Sequence, residues 1–454
     1  MQLWLLLHVR SNNNMKTPIC DFVNKYREDN KLRLHMPGHK GEAFLGLESY
    51  DITEIDGADS LYEANGIIAE SEANASKLFG SKTYYSTEGS SQCIKAMVYI
   101  AMLTAKKEGK KPLILAGRNA HKAFHSAVAL LDIDVEWIYP EGMENYLSCN
   151  ITEGDLEKIL KRNGEKPTAL YITSPDYLGN IADVGALAKV CKENDVLLLV
   201  DNAHGAYLKF LNESVHPMDL GADMCCDSAH KTLPVLTGGA YLHTTEKLCE
   251  NVKEAMLLFG STSPSYLILQ SLDRANAYLE NYAERLNAFI PKVAGLKKAL
   301  IENGYALYGS EMLKLTVQTK SYGYHGNDFA KVLNKKGIVS EFSDPDFVVL
   351  MLTPEIGEAG LEKIKSTMLS IEKKEVILEK MPSFSKNVST LSIREAMLSP
   401  AKTVEINNSL GKVLASSSVG CPPAVPIVVS GEIIDENSIT CFNYYGITKV
   451  KIIE

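Results

Sequence analysis

The sequence predicts an α/β fold with a mostly parallel central sheet. Between about residues 70 and 250, stretches with helical periodicity alternate with short apolar runs that have the character of buried strands. These runs carry few polar residues in their interiors, which is typical of parallel strands covered on both faces. Such alternation favours an open sheet with right-handed crossovers. The helical stretches are 66–80 and 90–109, and the strand candidates are 111–117, 135–140, 168–175 and 196–205.

The chain begins with a short apolar run, residues 1–14, which we interpret as an extension outside the fold. It is too short to span a bilayer and has neither a basic flank nor a small-residue cleavage site. From Met15 onward the periodicity is that of an ordinary amphipathic helix, and we assign 15–70 to an N-terminal arm and entrance segment. No transmembrane segment is predicted elsewhere.

The pattern of helical and strand stretches changes after residue 271. We therefore predict a large domain at 71–271, followed in the chain by smaller α+β units. A long helical stretch covers 272–303, and strand–helix–strand–helix signals follow it, so we expect a small α+β domain at 272–385. A join rich in Pro and Ser leads into a last segment with β character, 386–454.

Composition excludes some function classes. With 454 residues and a net charge of −9, the chain offers no basic footprint for nucleic acid. Its nine cysteines form no C-x-x-C pair, so we expect reduced thiols in the cytoplasm and no metal site.

Ligands in open α/β sheets bind beyond the carboxyl ends of the strands, and one strand candidate there ends in Asp201. A buried acid needs a cation or hydrogen-bond donors. Thirty residues later, Lys231 lies in a Ser-x-His-Lys turn. The pair suits pyridoxal 5'-phosphate (PLP), whose pyridine nitrogen the acid would keep protonated and whose aldehyde the lysine would hold as a Schiff base. Taken singly, Asp201 is equally a strand-end cap and Lys231 an ordinary loop lysine.

A phosphate group needs a cup, and Gly89, Ser90 and Ser91 run directly into a predicted helix. The free N–H groups and the positive dipole end of a helix favour a dianion. Ser228 and His230, beside Lys231, would complete the cup. By itself a Ser-rich helix start is more often a plain N-cap.

A cofactor ring also needs a stacking partner. His121 follows the strand candidate 111–117 and could lie flat on a pyridine ring. A lone histidine after a strand is more often a structural hydrogen-bonding group, so this assignment depends on the other residues.

Several longer motifs occur together from Met15 onward. They are LHMPGHKG at 34–41, YDITEIDGADSLYEANGIIAESEANASKLFG at 50–80, GRNAHKAF at 117–124, YITSPDYLGNIADVGALAKVCKENDVLLLVDNAHGA at 171–206, DSAHKTLPVLTGGAYLH at 227–243, STSPSYLILQSLD at 261–273, SIREAML at 392–398 and PPAVPIVVSGEII at 422–434. In this combination the chain resembles the ornithine/lysine/arginine decarboxylase family of fold-type I PLP enzymes, in its short form without an N-terminal receiver-like domain.

The resemblance implies roles for individual residues. Lys231 would be the Schiff-base lysine and Asp201 the pyridine partner, with His121 stacked on the ring and His204 near the ring oxygen. The phosphate would be held by Ser90, Ser91, Ser228 and His230. We therefore assign catalytic roles to Lys231, Asp201, His204, His121 and His230.

The resemblance also implies a homodimer with shared active sites, and leaves the oligomer size above the dimer open. Thr262 and Ser263 would reach the phosphate of the neighbouring subunit, and the segment 37–40 would cover the neighbour's entrance.

Some positions depart from the family pattern. The residue before Gly89 is Glu88, where the family usually has Asn, and we expect its carboxylate to point away from the phosphate. The family's Asp-Glu-Ala-His-Gly-Ala-His has Asn202 at its second position and Tyr207 at its last. These departures bear on substrate identity more than on cofactor binding.

The implied reaction is α-decarboxylation of a basic amino acid to agmatine or a diamine, with arginine favoured over lysine and ornithine. The distal cation would meet a carboxylate such as Glu88, Asp176 or an acid of the C-terminal domain. Other fold-type I PLP enzymes are the alternatives. An aminotransferase would need an arginine clamp, for which Arg394 is a candidate, and a desulfurase would need a mobile cysteine, which Cys225 and Cys226 suit poorly. A non-catalytic PLP-fold module is a further alternative.

Overall fold

The computed structural model describes residues 15–454 except 141, 144, 163, 384–385 and 417–423. The extension 1–14 and the Pro422-Pro423 pair of the last family motif lie outside the described residues.

A seven-stranded sheet forms the centre of the large N-terminal part. Its strands are β1 (Lys82–Ser86), β2 (Leu113–Gly117), β3 (Asp134–Ile138), β4 (Ala169–Thr173), β5 (Leu197–Asp201), β6 (Met224–Asp227) and β7 (Ala240–Thr244). They lie in the order β1-β7-β6-β5-β4-β2-β3. The pairs from β3 to β6 are parallel, and β7 pairs antiparallel with both β6 and β1. The predicted mostly parallel sheet is confirmed.

Helices cover this sheet on both faces. In β5, Leu199 packs into one apolar cluster, whereas Leu198 and Val200 pack into another. This double burial explains why the strands are continuous apolar runs in the sequence. The helices of this part are Pro18–Glu28, Ile67–Phe79, Ser90–Lys107, Lys122–Leu131, Glu153–Leu160, Val184–Glu193, Ala229–Thr232 and Val252–Leu257, with short 3₁₀ turns at Glu48–Tyr50, Leu61–Glu63, Ala206–Phe210 and Glu246–Asn251.

The predicted long helical stretch is two helices, Tyr266–Leu279 and Tyr282–Glu302. The break falls at Glu280 and Asn281, where Asn281 leaves the helical conformation with φ −115° and ψ 12°. Apolar periodicity continues across the break, so the sequence pattern does not reveal it.

Two smaller antiparallel sheets follow. The first contains β8 (Ala306–Tyr308), β9 (Lys314–Gln318), β10 (Phe342–Ser343) and β11 (Phe347–Met351) in the order β10-β11-β9-β8, with helices Gly326–Lys335 and Gly357–Leu369. The second contains β12 (Ala401–Glu405), β13 (Leu414–Ser416) and β14 (Lys449–Ile453) in the order β12-β14-β13, with helices Ile393–Leu398 and Glu436–Tyr444. Further 3₁₀ turns are Thr319–Tyr322, Pro354–Ile356 and Ile406–Asn408. The sequence-based domain boundaries stay a prediction.

The C-terminal unit is held beside the carboxyl edge of the central sheet. Arg118, at the end of β2, is 1% exposed and donates to the carbonyls of Pro426 and Ile427, each at 2.8 Å. The N–H of Lys122 donates to the carbonyl of Ala424 at 2.9 Å. These bonds bring Val425 to the rim of a cavity at the strand ends. Within the described part of the chain, no helix is long and apolar enough to cross a membrane.

Candidate active site

The loops after the parallel strands surround a cavity of about 240 Å³. Nine of the eleven residues assigned to cofactor binding line it: Gly89, Ser90, Ser91, His121, Asp201, His204, Ser228, His230 and Lys231. Residues almost 150 positions apart thus meet at one sheet edge, as the parallel topology requires.

Asp201 ends β5 and is 2% exposed. Its carboxylate accepts hydrogen bonds from the Tyr171 hydroxyl at 3.1 Å and the Ala203 N–H at 3.2 Å. Burial raises the pKa of Asp201, and the charge of Lys231 partly opposes that shift. A buried carboxylate with neutral donors gains most from a further, cationic donor facing the cavity.

Lys231 lies in a single helical turn that follows Ser228, whose carbonyl accepts the Lys231 N–H at 2.9 Å. Its Nζ lies 3.1 Å from Nε2 of His204. Burial lowers the pKa of Lys231, with Asp201 acting in the opposite direction. The neutral, nucleophilic amine is therefore more accessible near neutral pH than in an ordinary lysine.

The His204 imidazole is buried and neutral, since burial and the charge of Lys231 hold its pKa well below the usual range. Donation from Lys231 to Nε2 assigns the ring proton to Nδ1. Among the described residues, Nδ1 is buried without a hydrogen-bond partner. The ring packs edge-on against Tyr177 at 5.0 Å, which fixes its plane. A donor held in this way can serve a ligand oxygen in the cavity.

The predicted phosphate cup forms at the start of the helix Ser90–Lys107. Gly89 has φ +70°, a conformation that favours glycine, and its N–H donates to the carbonyl of Gly238 at 2.7 Å. The Ser228 hydroxyl donates to the Ser90 hydroxyl at 2.8 Å. These contacts tie the helix start to the loop of Lys231, and first-turn N–H groups have no intrahelical partner.

His230 lines the same cavity but uses its Nδ1 elsewhere. Nδ1 lies 3.0 Å from the carbonyl of Gly239, which therefore accepts its proton. Burial lowers the pKa of His230. The neutral ring then presents an unprotonated Nε2, which suits proton transfer better than donation to a phosphate.

His121 combines the structural and the functional interpretations. Its Nδ1 accepts the Ala123 N–H at 3.1 Å and caps the helix Lys122–Leu131. Burial, followed by the charges of Lys231 and Lys122, lowers the pKa of His121 to about 3. The capping hydrogen bond holds the uncharged imidazole of His121 at the cavity wall.

Sequence reasoning missed a carboxylate in this cavity. Glu341 lies just before β10 of the small sheet and lines the cavity, and its Oε1 accepts the Tyr177 hydroxyl at 2.8 Å. No motif surrounds it, and it comes from a different structural unit, so only the folded chain reveals it.

Other candidates lie elsewhere. The Asp176 carboxylate accepts the N–H groups of Leu178 and Asn180, each at 2.9 Å, and so stabilises a turn. Glu88 is exposed and is not among the residues lining the cavity. Arg394 donates to the carbonyls of Ala129 and Leu130 at 2.8 and 3.0 Å, so it is no substrate clamp here.

The other candidate residues were predicted for the active site of the partner subunit or for a desulfurase reaction. Thr262 and Ser263 are exposed and lie outside this chain's cavity, as does the segment 37–40. Cys225 and Cys226 are buried in β6, where a mobile nucleophile has no room.

Comparison with known proteins assigns the family. The family Orn/Lys/Arg decarboxylase, major domain, matches residues 17–312. The chain belongs to this family. It is 28% identical to the arginine decarboxylase of Bacillus subtilis (strain 168), covering 94% of this chain and 92% of that protein. It is 29% identical to the arginine decarboxylase of Halalkalibacterium halodurans, covering 93% and 92%.

A solved structure with the same fold is the lysine decarboxylase of Francisella novicida. It is 18% identical, with a TM-score of 0.79 over 97% of this chain and 82% of that one. The predicted family, the fold-type I architecture and the amino acid decarboxylase class are confirmed. Decarboxylases of this family depend on PLP, and the groups around the cavity fit that cofactor: a buried acid, a buried lysine whose pKa is lowered and a helix start rich in hydroxyl groups.

Proposed function

We propose that this chain binds PLP at Lys231 and removes the α-carboxylate of a basic amino acid, arginine before lysine or ornithine. The observation that carries the proposal is the convergence of Lys231, the buried Asp201 and the helix start at Ser90 on one cavity. Each of these has a structural explanation by itself, and PLP is the group that needs all three.

Different residues of the cavity would bind different parts of the cofactor. Ser90, Ser91 and Ser228 would hold the phosphate, and Asp201 would pair with the pyridine nitrogen. The orphaned Nδ1 of His204 supports a role as donor to the ring oxygen, because a buried N–H without a partner costs about 1–3 kcal/mol.

When bound, PLP supplies an electrophilic carbonyl carbon and a cationic ring that accepts the electron pair of the bond to the departing CO₂. Asp201 keeps that ring nitrogen protonated, because a buried carboxylate strongly favours a cationic neighbour. A proton must then return to Cα. Lys231 and His230 both line the cavity, and Nζ of the lysine or Nε2 of the histidine would carry it.

Glu341 is the group we assign to the distal cation of the substrate. It is a carboxylate lining the cavity, and the Tyr177 hydroxyl orients it. A carboxylate can accept two parallel N–H bonds from a guanidinium, a geometry that an ammonium lacks. The two relatives named arginine decarboxylase favour arginine as the substrate.

We further propose a homodimer in the cytoplasm. Apolar side chains of the N-terminal arm are 63–90% exposed in the single chain, and such a patch favours burial against a partner. They are Leu32, Leu34, Met36, Phe44 and Leu45. The described cysteines are all free, which supports a reducing compartment.

A competition between substrates tests the proposed reaction. The purified protein is incubated with PLP and an equimolar mixture of arginine, lysine and ornithine, and the amines formed are identified by mass spectrometry. Agmatine is the expected main product. Predominant cadaverine or putrescine would contradict the arginine assignment, and keto acids in place of amines would contradict decarboxylation.

A further inference from the structure

Four side chains of metal-ligating type converge behind the loop that carries Lys231. They are His216, Cys225, Asp227 and His243, and each is fully or almost fully buried. One ligand atom from each lies within 4.8 Å of the ligand atoms of all the others. None of the four lines the cavity assigned to the cofactor.

Strand geometry places these side chains together. Cys225 and Asp227 are two residues apart in β6 and so point to the same face of the sheet. His243 in β7 lies directly opposite Cys225 in the antiparallel register. His216 reaches the cluster from the loop before β6. Three separate chain segments thus supply the four ligand atoms.

Three of the six separations between the ligand atoms approach the edges of a tetrahedral zinc site, and none of the six exceeds 4.8 Å. Oδ2 of Asp227 lies 3.1 Å from Nε2 of His216 and 3.1 Å from Nε2 of His243. Sγ of Cys225 lies 3.9 Å from Nε2 of His216. Ligand distances of about 2.0 Å for N and O and about 2.3 Å for S give tetrahedron edges of about 3.3–3.6 Å. Shifts of a few tenths of an ångström bring these three separations to those values.

Two of the atoms that would not bind the metal, Oδ1 of Asp227 and Nδ1 of His243, have partners of their own. Asn202 Nδ2 donates to Oδ1 of Asp227 at 2.6 Å, and Nδ1 of His243 lies 2.9 Å from the Thr83 hydroxyl. Metal ligands are commonly oriented by such outer hydrogen bonds.

Charge balance also fits a buried ion. One carboxylate, one thiolate and two neutral imidazoles carry two negative charges, which Zn²⁺ cancels, and a neutral set avoids the cost of burying net charge. We propose that His216, Cys225, Asp227 and His243 form a structural zinc site. The ion would clamp β6 to β7 and to the preceding loop, and so hold the base of the turn that presents Ser228 and Lys231.

The competing arrangement contains no metal. Both imidazoles would donate N–H hydrogen bonds to the carboxylate of Asp227. The N–H of Met218 lies 3.4 Å from Nδ1 of His216 and would donate to that nitrogen. In that arrangement Cys225 contributes only a long contact to His216. Replacing Cys225 therefore separates the two arrangements.

The test measures zinc in the full-length protein, purified without a histidine tag and passed through a chelator-containing gel-filtration column. We expect about one zinc per chain in the wild type and at least ~10-fold less in Cys225→Ser and Asp227→Asn. Cys191→Ser is the matched control, because Cys191 is also buried but lies in the helix Val184–Glu193, and it should keep its zinc.

X-ray absorption at the zinc edge of the wild type keeps the test decisive if a variant fails to fold. One sulfur at about 2.3 Å and nitrogen or oxygen at about 2.0 Å would support the site. Zinc-free wild-type protein would overturn the proposal. Full zinc content in a folded Cys225→Ser variant would overturn it as well, since the metal would then be bound elsewhere.

Discussion

Burial controls the protonation of the groups around Lys231. The pKa values of Lys231, His204 and His121 are all lowered, with burial as the largest cause. Burial acts in the opposite direction on Asp201, whose pKa is raised. Every one of these shifts favours the neutral form, so the cavity is prepared for a ligand that brings its own charges, a phosphate at one end and a protonated ring at the other.

The lowered pKa of Lys231 predicts how PLP loading depends on pH. Only the neutral amine attacks an aldehyde, so the loading rate of the apoprotein should rise with pH and level off clearly below 10.5, the ordinary lysine value. Asp201 raises the pKa of Lys231, so Asp201→Asn should move the plateau to lower pH. The absorbance change on adding PLP reports the rate. A wild-type rate still rising at pH 10.5 would contradict the account.

Glu341 predicts a substrate-binding effect. Glu341→Gln removes the charge but keeps the length of the side chain, so the KM for arginine should rise by about 10–100-fold with a smaller change in kcat. Glu88→Gln is the matched control, because Glu88 lies outside the cavity and its change should leave both constants unaffected. Steady-state kinetics decides. Equal effects of the two substitutions would remove Glu341 from the substrate site.

At the scale of elements, the sequence predicts the strands that contain apolar runs and misses β1 and β7. The strands β2, β4 and β5 are buried runs, and each was predicted. The strands β1 and β7 contain Tyr, Thr and His, and no apolar pattern marks them. Thr83 of β1 and His243 of β7 are hydrogen-bonded across the sheet at 2.9 Å. Such pairing depends on residues 160 positions apart, which no local pattern contains.

A buried aspartate in the turn between β10 and β11 makes the free energy of unfolding depend on pH. Asp344 is 6% exposed, and burial raises its pKa to about 7. In the unfolded chain the pKa of an Asp is about 3.9. The folded state therefore binds more protons in the window between these values, and this group's contribution to the free energy of unfolding falls as pH rises through it.

Asp344→Asn should remove this loss. The Asn oxygen can still accept the N–H groups of Asp346 and Phe347, which bond to Oδ1 at 2.8 and 2.7 Å. The variant should gain up to about 2–4 kcal/mol over the wild type between pH 4 and 7, and the gain should then stay constant. Thermal unfolding across this range measures it. By contrast, Asp346→Asn should destabilise, since Asp346 pairs with Lys320 at 3.0 Å. A gain that does not depend on pH would contradict the account.

At the scale of the whole molecule, parallel topology explains why most of the cofactor site could be predicted. Residues that follow parallel strands meet at one edge of the sheet, so Asp201 could be placed at that edge from a predicted strand, and Lys231 and Gly89 were joined to it by the chemistry that a PLP site requires. Glu341 and Val425 come from the two smaller units, whose docking depends on tertiary contacts such as those of Arg118. No local rule predicts that docking.

The exposed apolar arm predicts an assembly. In solution the mass should be at least twice the 49.9 kDa of the chain, and Leu34→Glu should lower it, because the charge would lie in the covered patch. Leu378→Glu, at a similarly exposed leucine outside the arm, is the control and should leave the mass unchanged. Light scattering after gel filtration measures both. A monomeric wild type would contradict the proposed shared site.

The most direct test of the central claim follows the carboxyl carbon itself. Arginine labelled at its α-carboxyl carbon is incubated with the PLP-loaded protein, and the label in released CO₂ is measured beside the same assay on Lys231→Ala. We expect labelled CO₂ from the wild type and at least a ~10³-fold loss in the variant, which should also lack the cofactor's bound absorption band. Label retained in a keto acid, or CO₂ release that persists without Lys231, would contradict the assignment of this site as a decarboxylase.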